Sequence, residues 1–150
     1  DGLFSEALTR YAEQGGRELA DHMSQYDCIV DGLQDYLRSM AASCSDGNAR
    51  PSRACMIVKT LLEASNTHPA LADQANTILA AIERAFEQLL AQAKSRGELV
   101  AAADCGRLAR LLQAQIMGLR AMAERHPEPQ ALQDLGEDMA SLLDRYRSQH

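Results

Sequence analysis

The side chains with the most reactive chemistry are four cysteines, at 28, 44, 55 and 105, and four histidines, at 22, 68, 126 and 150. No two cysteines have C-x-x-C spacing, and no Cys/His group has the spacing of zinc ligands, so neither a metal nor another cofactor is expected. Each histidine falls at a helix end, in a turn or at the terminus. None stands at a motif distance from a serine, a cysteine or a carboxylate. A nucleophile elbow, a glycine-rich phosphate loop and a catalytic carboxylate pair are all missing from the pattern. The sequence therefore offers no catalytic residue and reads as a non-enzyme.

What remains is thiol chemistry. Cys55 opens an apolar stretch of helical character, Arg53–Asn66, and Arg53 is close to it in sequence. The positive end of a helix dipole and a neighbouring cation both favour the thiolate. Cys55 is thus the candidate redox sensor, the alternative being a small apolar core residue. Cys28 has the same logic, weakened by Asp27 and Asp31. Cys105 follows the acidic Asp104. Cys44 opens a stretch dense in turn formers, Cys44–Arg53, and is expected to be exposed in a loop. Among polar residues near apolar stripes, Lys59 and Glu63 stand one turn apart, a pair worth a few tenths of a kcal/mol when solvated. Buried, they would be a polar feature of an interior cavity. Gln74 and Gln115 are either polar groups of a pocket or residues at a stripe's edge.

The elements that would hold these residues are helices. The 150 residues are 46% hydrophobic but only 4% aromatic, without Trp, so Leu, Ala, Met and Ile must supply the core. That mixture favours helix over sheet, and the length suits one domain. A net charge of −6 is a poor match to a phosphate backbone, which needs clustered Lys and Arg. The apolar runs stop at four or five residues, far short of the ~20 of a membrane span. A soluble, cytoplasmic protein with no membrane partner is expected. Asp1 is not a native initiator, which suggests sequence upstream.

Helix one is expected over 1–20 on the stripe Leu3, Phe4, Ala7, Leu8, Tyr11 and Ala12, weakened at Gly15-Gly16. Ser24 and Asp27 fit a capping box for helix two, about 25–43. The third helix, 53–66, is apolar on nearly every face and is expected to be the packed centre of the bundle. Pro69 then starts a long helix that basic residues and Gly97 close. Asp104 is the expected cap of helix five, and helix six follows the break at His126-Pro127-Glu128-Pro129. The fold class is all-α, a bundle of about six helices. Along helix five, Ala114, Gly118 and Ala121 form a line of small residues beside the leucine stripe. Such a line serves packing within the chain or self-association equally well.

Several stretches, in order, resemble the C-terminal regulatory domain of TetR-family transcriptional repressors. Gly2-Leu3-Phe4-Ser5-Glu6-Ala7-Leu8-Thr9-Arg10-Tyr11 resembles the start of the family's connector helix, which follows its helix-turn-helix domain. Ala54-Cys55-Met56-Ile57-Val58-Lys59-Thr60 resembles the opening of the family's short central helix, with Ala54 where the family usually has Gly. Ser95-Arg96-Gly97-Glu98-Leu99, Asp104 and Ile116-Met117-Gly118-Leu119-Arg120 resemble the passage into and along the first dimer helix. The resemblance covers roughly residues 2–146. It implies one effector-binding and dimerisation domain over 1–150, with 1–20 as the connector from a DNA-binding domain that this sequence lacks. It also implies a homodimer whose last two helices form a four-helix bundle with a second copy. An effector would shift the connector and release operator DNA, which only the absent domain would contact.

The expected effector is a small apolar or thiol-reactive molecule. The expected ligand-binding residues are Ile29, Leu33, Cys55, Met56, Thr60, Gln74, Ile78 and Gln115. The expected dimer interface takes Leu111, Ala114, Gly118 and Ala121 with Leu135, Met139 and Leu142. The alternative is a stand-alone helical homodimeric binding or scaffold protein with no DNA partner.

Overall fold

The computed structural model describes residues 2–46 and 53–149, with side chains for 2–46 and 56–149. Among the described residues the periodicities become six α-helices: α1 (Gly2–Met23), α2 (Ile29–Ser45), α3 (Arg53–Ala64), α4 (Pro69–Ser95), α5 (Cys105–Ala123) and α6 (Pro129–Leu142). A 3-10 turn, Leu143–Tyr146, continues from α6. Gly15 and Gly16 do not interrupt α1. Pro69 and Pro129 occupy the first turns of α4 and α6, where a missing N–H costs nothing.

Two hydrophobic clusters hold the helices together. The larger one joins α2, α4, α5 and α6 through residues such as Leu33, Leu37, Phe86, Leu90, Leu112, Leu119 and Met139. A satellite cluster of Leu8, Ile57, Ala75 and Leu79 fixes α1 and α3 to α4. The centre of the bundle is therefore α2, not α3. Only one side of α3 is buried, and Leu62 on the other side is 71% exposed. Apolar composition on several faces of a short helix did not make it the packing centre. Lys59 and Glu63 are both exposed, so they form no interior polar feature.

Helix two starts later than the Ser24 capping box predicts. Its N-cap is Cys28, whose Sγ accepts from the Asp31 N–H at 3.5 Å. The decisive cap comes from Glu98, seventy residues away. Its Oε1 accepts from the Val30 N–H at 3.0 Å and from the Cys28 thiol at 3.3 Å. A carboxylate at a helix N-terminus is favoured by the exposed N–H groups and the helix dipole. Glu98 is delivered there by the end of α4. Gly97, at φ 82°, permits a turn in which the Glu98 N–H reaches Ala93 O at 2.9 Å and the Gly97 N–H reaches Lys94 O at 3.0 Å. That is the Schellman geometry. Asp104 caps α5 as expected, its Oδ1 accepting from the Arg107 N–H at 3.1 Å.

A polar network fastens α2 to the end of α6. Gln34, 4% exposed, donates to Ala140 O at 2.9 Å and to Asp144 Oδ1 at 2.8 Å, and accepts from Arg147 Nη2 at 2.7 Å. Arg147 also pairs with Asp31. Higher along the same crossing, a Cβ on Gly136 would strike the Ala41 methyl, so the absence of a side chain lets α2 and α6 approach closely.

Candidate functional site

Residues of both clusters border a cavity of about 1130 Å³, with Ile82, which packs against each cluster, on its wall. Its walls come from α1, α2, α3, α4 and α5. The α1 wall is built of small residues, Ala12, Gly15 and Gly16, followed by Glu18 and Leu19. A Cβ on either glycine would meet nothing within 4 Å, so these positions leave the space open. Apolar side chains from the other helices, Met40, Met56, Ile57, Ile78, Ile82 and Met117, line much of the remainder. A concave, mostly apolar space with a few polar groups is the usual form of a small-molecule site.

Polar groups also line the cavity. Tyr36 of α2 lines the cavity, packs tilted against Phe86 at 6.3 Å between ring centroids and meets His22 edge-on at 5.4 Å. Burial raises the pKa of its phenol above the ordinary value, while the Arg120 cation acts to lower it and the Glu18 carboxylate to raise it. Arg120 of α5 and Glu18 of α1 thus both act on the phenol of α2. Arg120 is half-buried, and its Nε is buried with no hydrogen-bond partner among the described residues. By contrast, Gln113, another polar residue of the lining, already donates to Leu79 O at 2.7 Å.

Of the residues expected to bind ligand, Met56 and Ile78 line the cavity. Ile29 and Leu33 lie in the larger core cluster. Thr60 is buried and donates to Met56 O of its own helix at 2.8 Å. Gln74 ties α4 to α1, donating to Ser5 O at 2.8 Å and to Thr9 Oγ1 at 3.1 Å. Gln115 is half-buried, with an Oε1 that has no hydrogen-bond partner among the described residues, and it is not part of the lining. The side chain of Cys55 lies outside the described residues, so the sensor expectation falls there too. Cys44 departs from its expected place in an exposed loop. It sits in the last turns of α2, half-buried, on the cavity wall. Among the described residues no group of three or more His, Cys, Asp and Glu is placed to hold a metal ion, and no helix is long and apolar enough to cross a membrane.

Of the residues expected at a dimer interface, Leu111, Ala114, Gly118 and Ala121 lie exposed on α5, and Leu111 is 42% exposed. Met122, 40% exposed, belongs to the same apolar outer surface. On α6, Leu135 and Leu142 are half-buried, whereas Met139 is buried in the chain's own core.

Sequence reasoning passed over Tyr36, Arg120, Cys44 and the glycine pair as cavity residues. One signal was present. Gln113, Ile116, Met117 and Arg120 follow i, i+3, i+4, i+7 spacing, so a cation and an amide sit on an apolar face of α5.

The chain is thus an all-α bundle with a cavity between its first helix and a helical core. The family model described as the tetracyclin repressor-like C-terminal domain matches residues 32–138, and the chain belongs to that family. Solved structures of the same fold include a TetR transcriptional regulator from Chloroflexus aurantiacus, with a TM-score of 0.76 and 20% identity over 94% of this chain and 70% of that one. A TetR-family regulator from Cytophaga hutchinsonii gives 0.82 at 14% identity, covering 97% of this chain and 72% of its own. One from Agrobacterium tumefaciens gives 0.79 at 12% identity, covering 97% and 74%. Nothing among curated proteins matches the chain. Membership places it among transcription regulators.

Proposed function

We propose that this chain is the effector-binding and dimerisation domain, over 1–150, of a cytoplasmic TetR-type repressor. In this reading it has no catalytic role. A small molecule enters the cavity, α1 moves as the connector, and a DNA-binding domain upstream releases its operator. The cavity carries the reading. It is large enough for a drug-sized ligand, and α1 forms one of its walls, so occupancy and the position of α1 are mechanically linked. The solved regulators of this fold are longer than this chain, which covers 70–74% of them, leaving length for a separate head. Dimerisation uses the outer face of α5, where Leu111, Ala114, Gly118 and Ala121 present an apolar surface of low relief. Leu135 and Leu142 of α6 flank it.

The test uses a neutral apolar dye, Nile red, titrated into the purified chain. Saturable binding is expected, and Ile78→Trp, which fills the cavity, is expected to abolish it. Dye binding that Ile78→Trp leaves untouched refutes the site. Sedimentation tests the other half: a monomer at micromolar concentration refutes the dimer.

A further inference from the structure

The end of the cavity at Arg120, its polar end, holds a guanidinium Nε with no hydrogen-bond partner among the described residues. We infer that its ligand is an amphiphile with a singly charged anionic head, of the carboxylic acid class, which meets Arg120 and Tyr36 while an apolar body extends toward Ile57 and Leu79. This names the ligand class of the effector site proposed above and rests on that reading.

The head is assigned by what is missing. Arg120 Nε is buried on the cavity wall with no hydrogen-bond partner among the described residues. A buried donor on a charged group left unmade is costly, and proteins normally pair such groups. Tyr36 faces the same space, and the burial that raises its pKa keeps its O–H protonated at neutral pH, so it too can donate. Two donors, one of them cationic, call for an acceptor, and a carboxylate oxygen pair supplies it with charge-assisted bonds. The remaining titratable groups of the lining set the charge. Among the described residues, Glu18 and Glu124 are exposed carboxylates of the lining, and His126 joins them beside Tyr11, Tyr36, Cys44 and Arg120. Two carboxylates on the lining oppose a dianion more than a monoanion.

The direction of the apolar body follows from two helices. On α5, Gln113 is held to Leu79 O, and Arg120 lies seven residues further on, about 10 Å along the axis. On α1, Leu8 packs with Ile57 and Leu79, and Glu18 lies ten residues further on, about 15 Å. Both place the satellite cluster one ligand length from the polar end. Ile78, Ile82 and Met117 line the space.

The experiment compares decanoate with methyl decanoate, which has the same chain and no charge, by displacement of Nile red from the 150-residue chain and from Arg120→Gln. Decanoate is expected to bind roughly ten- to a hundredfold more tightly than the ester, and Arg120→Gln is expected to remove that preference. Equal binding of acid and ester to the unaltered chain overturns the inference and leaves the cavity reading intact, and it does so whether or not the variant folds. An acid preference that survives in a folded Arg120→Gln also overturns it. Failure of the dye and both probes to bind overturns the cavity reading and the inference together.

Discussion

Replacing Leu8 with Ala is expected to undock one layer of the protein without unfolding the rest. Leu8 is wholly buried and, among the described residues of α1, the one that is buried. It belongs to the satellite cluster, whose other buried members are Ile57, Ala75 and Leu79. Truncation removes about three methylene equivalents at ~0.8 kcal/mol each, near 2.4 kcal/mol, and the residual hole brings the total into the roughly 2.7–5 kcal/mol range of such changes. A cluster this small cannot absorb that loss by repacking. The larger core of α2, α4, α5 and α6 shares none of the four residues. The penalty therefore falls on the docking of α1 and α3. Amide exchange followed by mass spectrometry reads it directly. A loss of about 2.7 kcal/mol in local opening corresponds to roughly hundredfold faster exchange in α1 and α3. Helices α2 and α6 are expected to keep their rates. Uniform acceleration across all six helices, or none in α1, would refute the two-cluster account. Since α1 is also the proposed connector, the same variant is expected to weaken dye binding in the cavity.

Other perturbations probe the scaffold. Gln34→Met removes three hydrogen bonds of a buried amide. Arg147 and Asp144 can regain water, so the loss in urea unfolding is expected at about 2–3 kcal/mol, and a loss below ~1 kcal/mol refutes the role of the network. Gly136→Ala combined with Ala41→Gly moves a methyl from one helix to the other across their contact. The pair is expected to show coupling of roughly 1–3 kcal/mol relative to the sum of the single changes, and simple additivity would refute the close approach. Acid stability follows from two aspartates. Asp35 is held below the usual carboxylate value chiefly by the hydrogen bond from Arg38, then by Tyr26, and Asp144 chiefly by Gln34. Lowered folded values mean that the unfolded chain binds more protons, so their stabilisation is present above the unfolded value and is lost as pH falls below about 4. Urea midpoints measured from neutral to acid pH are expected to drop there, and less steeply in Asp35→Asn/Asp144→Asn.

The helices, the Asp104 cap and the Gly97 stop were legible because each depends on neighbours within a few residues. The cap of α2 was not. Ser24 and Asp27 have the right types and spacing, yet Glu98 reaches that helix from across the fold, and Cys28 became the N-cap. Helix α3 misled for a related reason. Its apolar residues suggested burial on all sides, but a helix buries only the side that a partner covers, and Leu62 faces outward. The cavity was the least legible feature, since its walls come from five helices far apart in sequence. Ile29 and Leu33 share the character of Met56 and Ile78, and only tertiary packing assigns the first pair to the core and the second to the cavity wall.

The glycine pair in α1 joins the fold to the proposed relay. Gly15 and Gly16 stand in the middle of a 22-residue helix, where each glycine costs roughly 0.5–1 kcal/mol relative to alanine. Neither position needs glycine for space, since an added Cβ meets nothing within 4 Å. Neither has a positive φ. The pair therefore leaves α1 weakest where it passes the cavity, with Leu8 anchoring one side of that point and the His22 contact to Gly32 O, at 2.9 Å, the other. Gly15→Ala/Gly16→Ala is expected to stabilise the chain by about 1–2 kcal/mol in urea unfolding and to slow amide exchange in the middle of α1. If the weak point transmits occupancy, ligand-induced changes in α1 exchange will shrink in the stabilised variant although dye still binds. A destabilised double variant would show that the glycines serve packing, and an undiminished response in a stabilised one would remove the hinge from the mechanism.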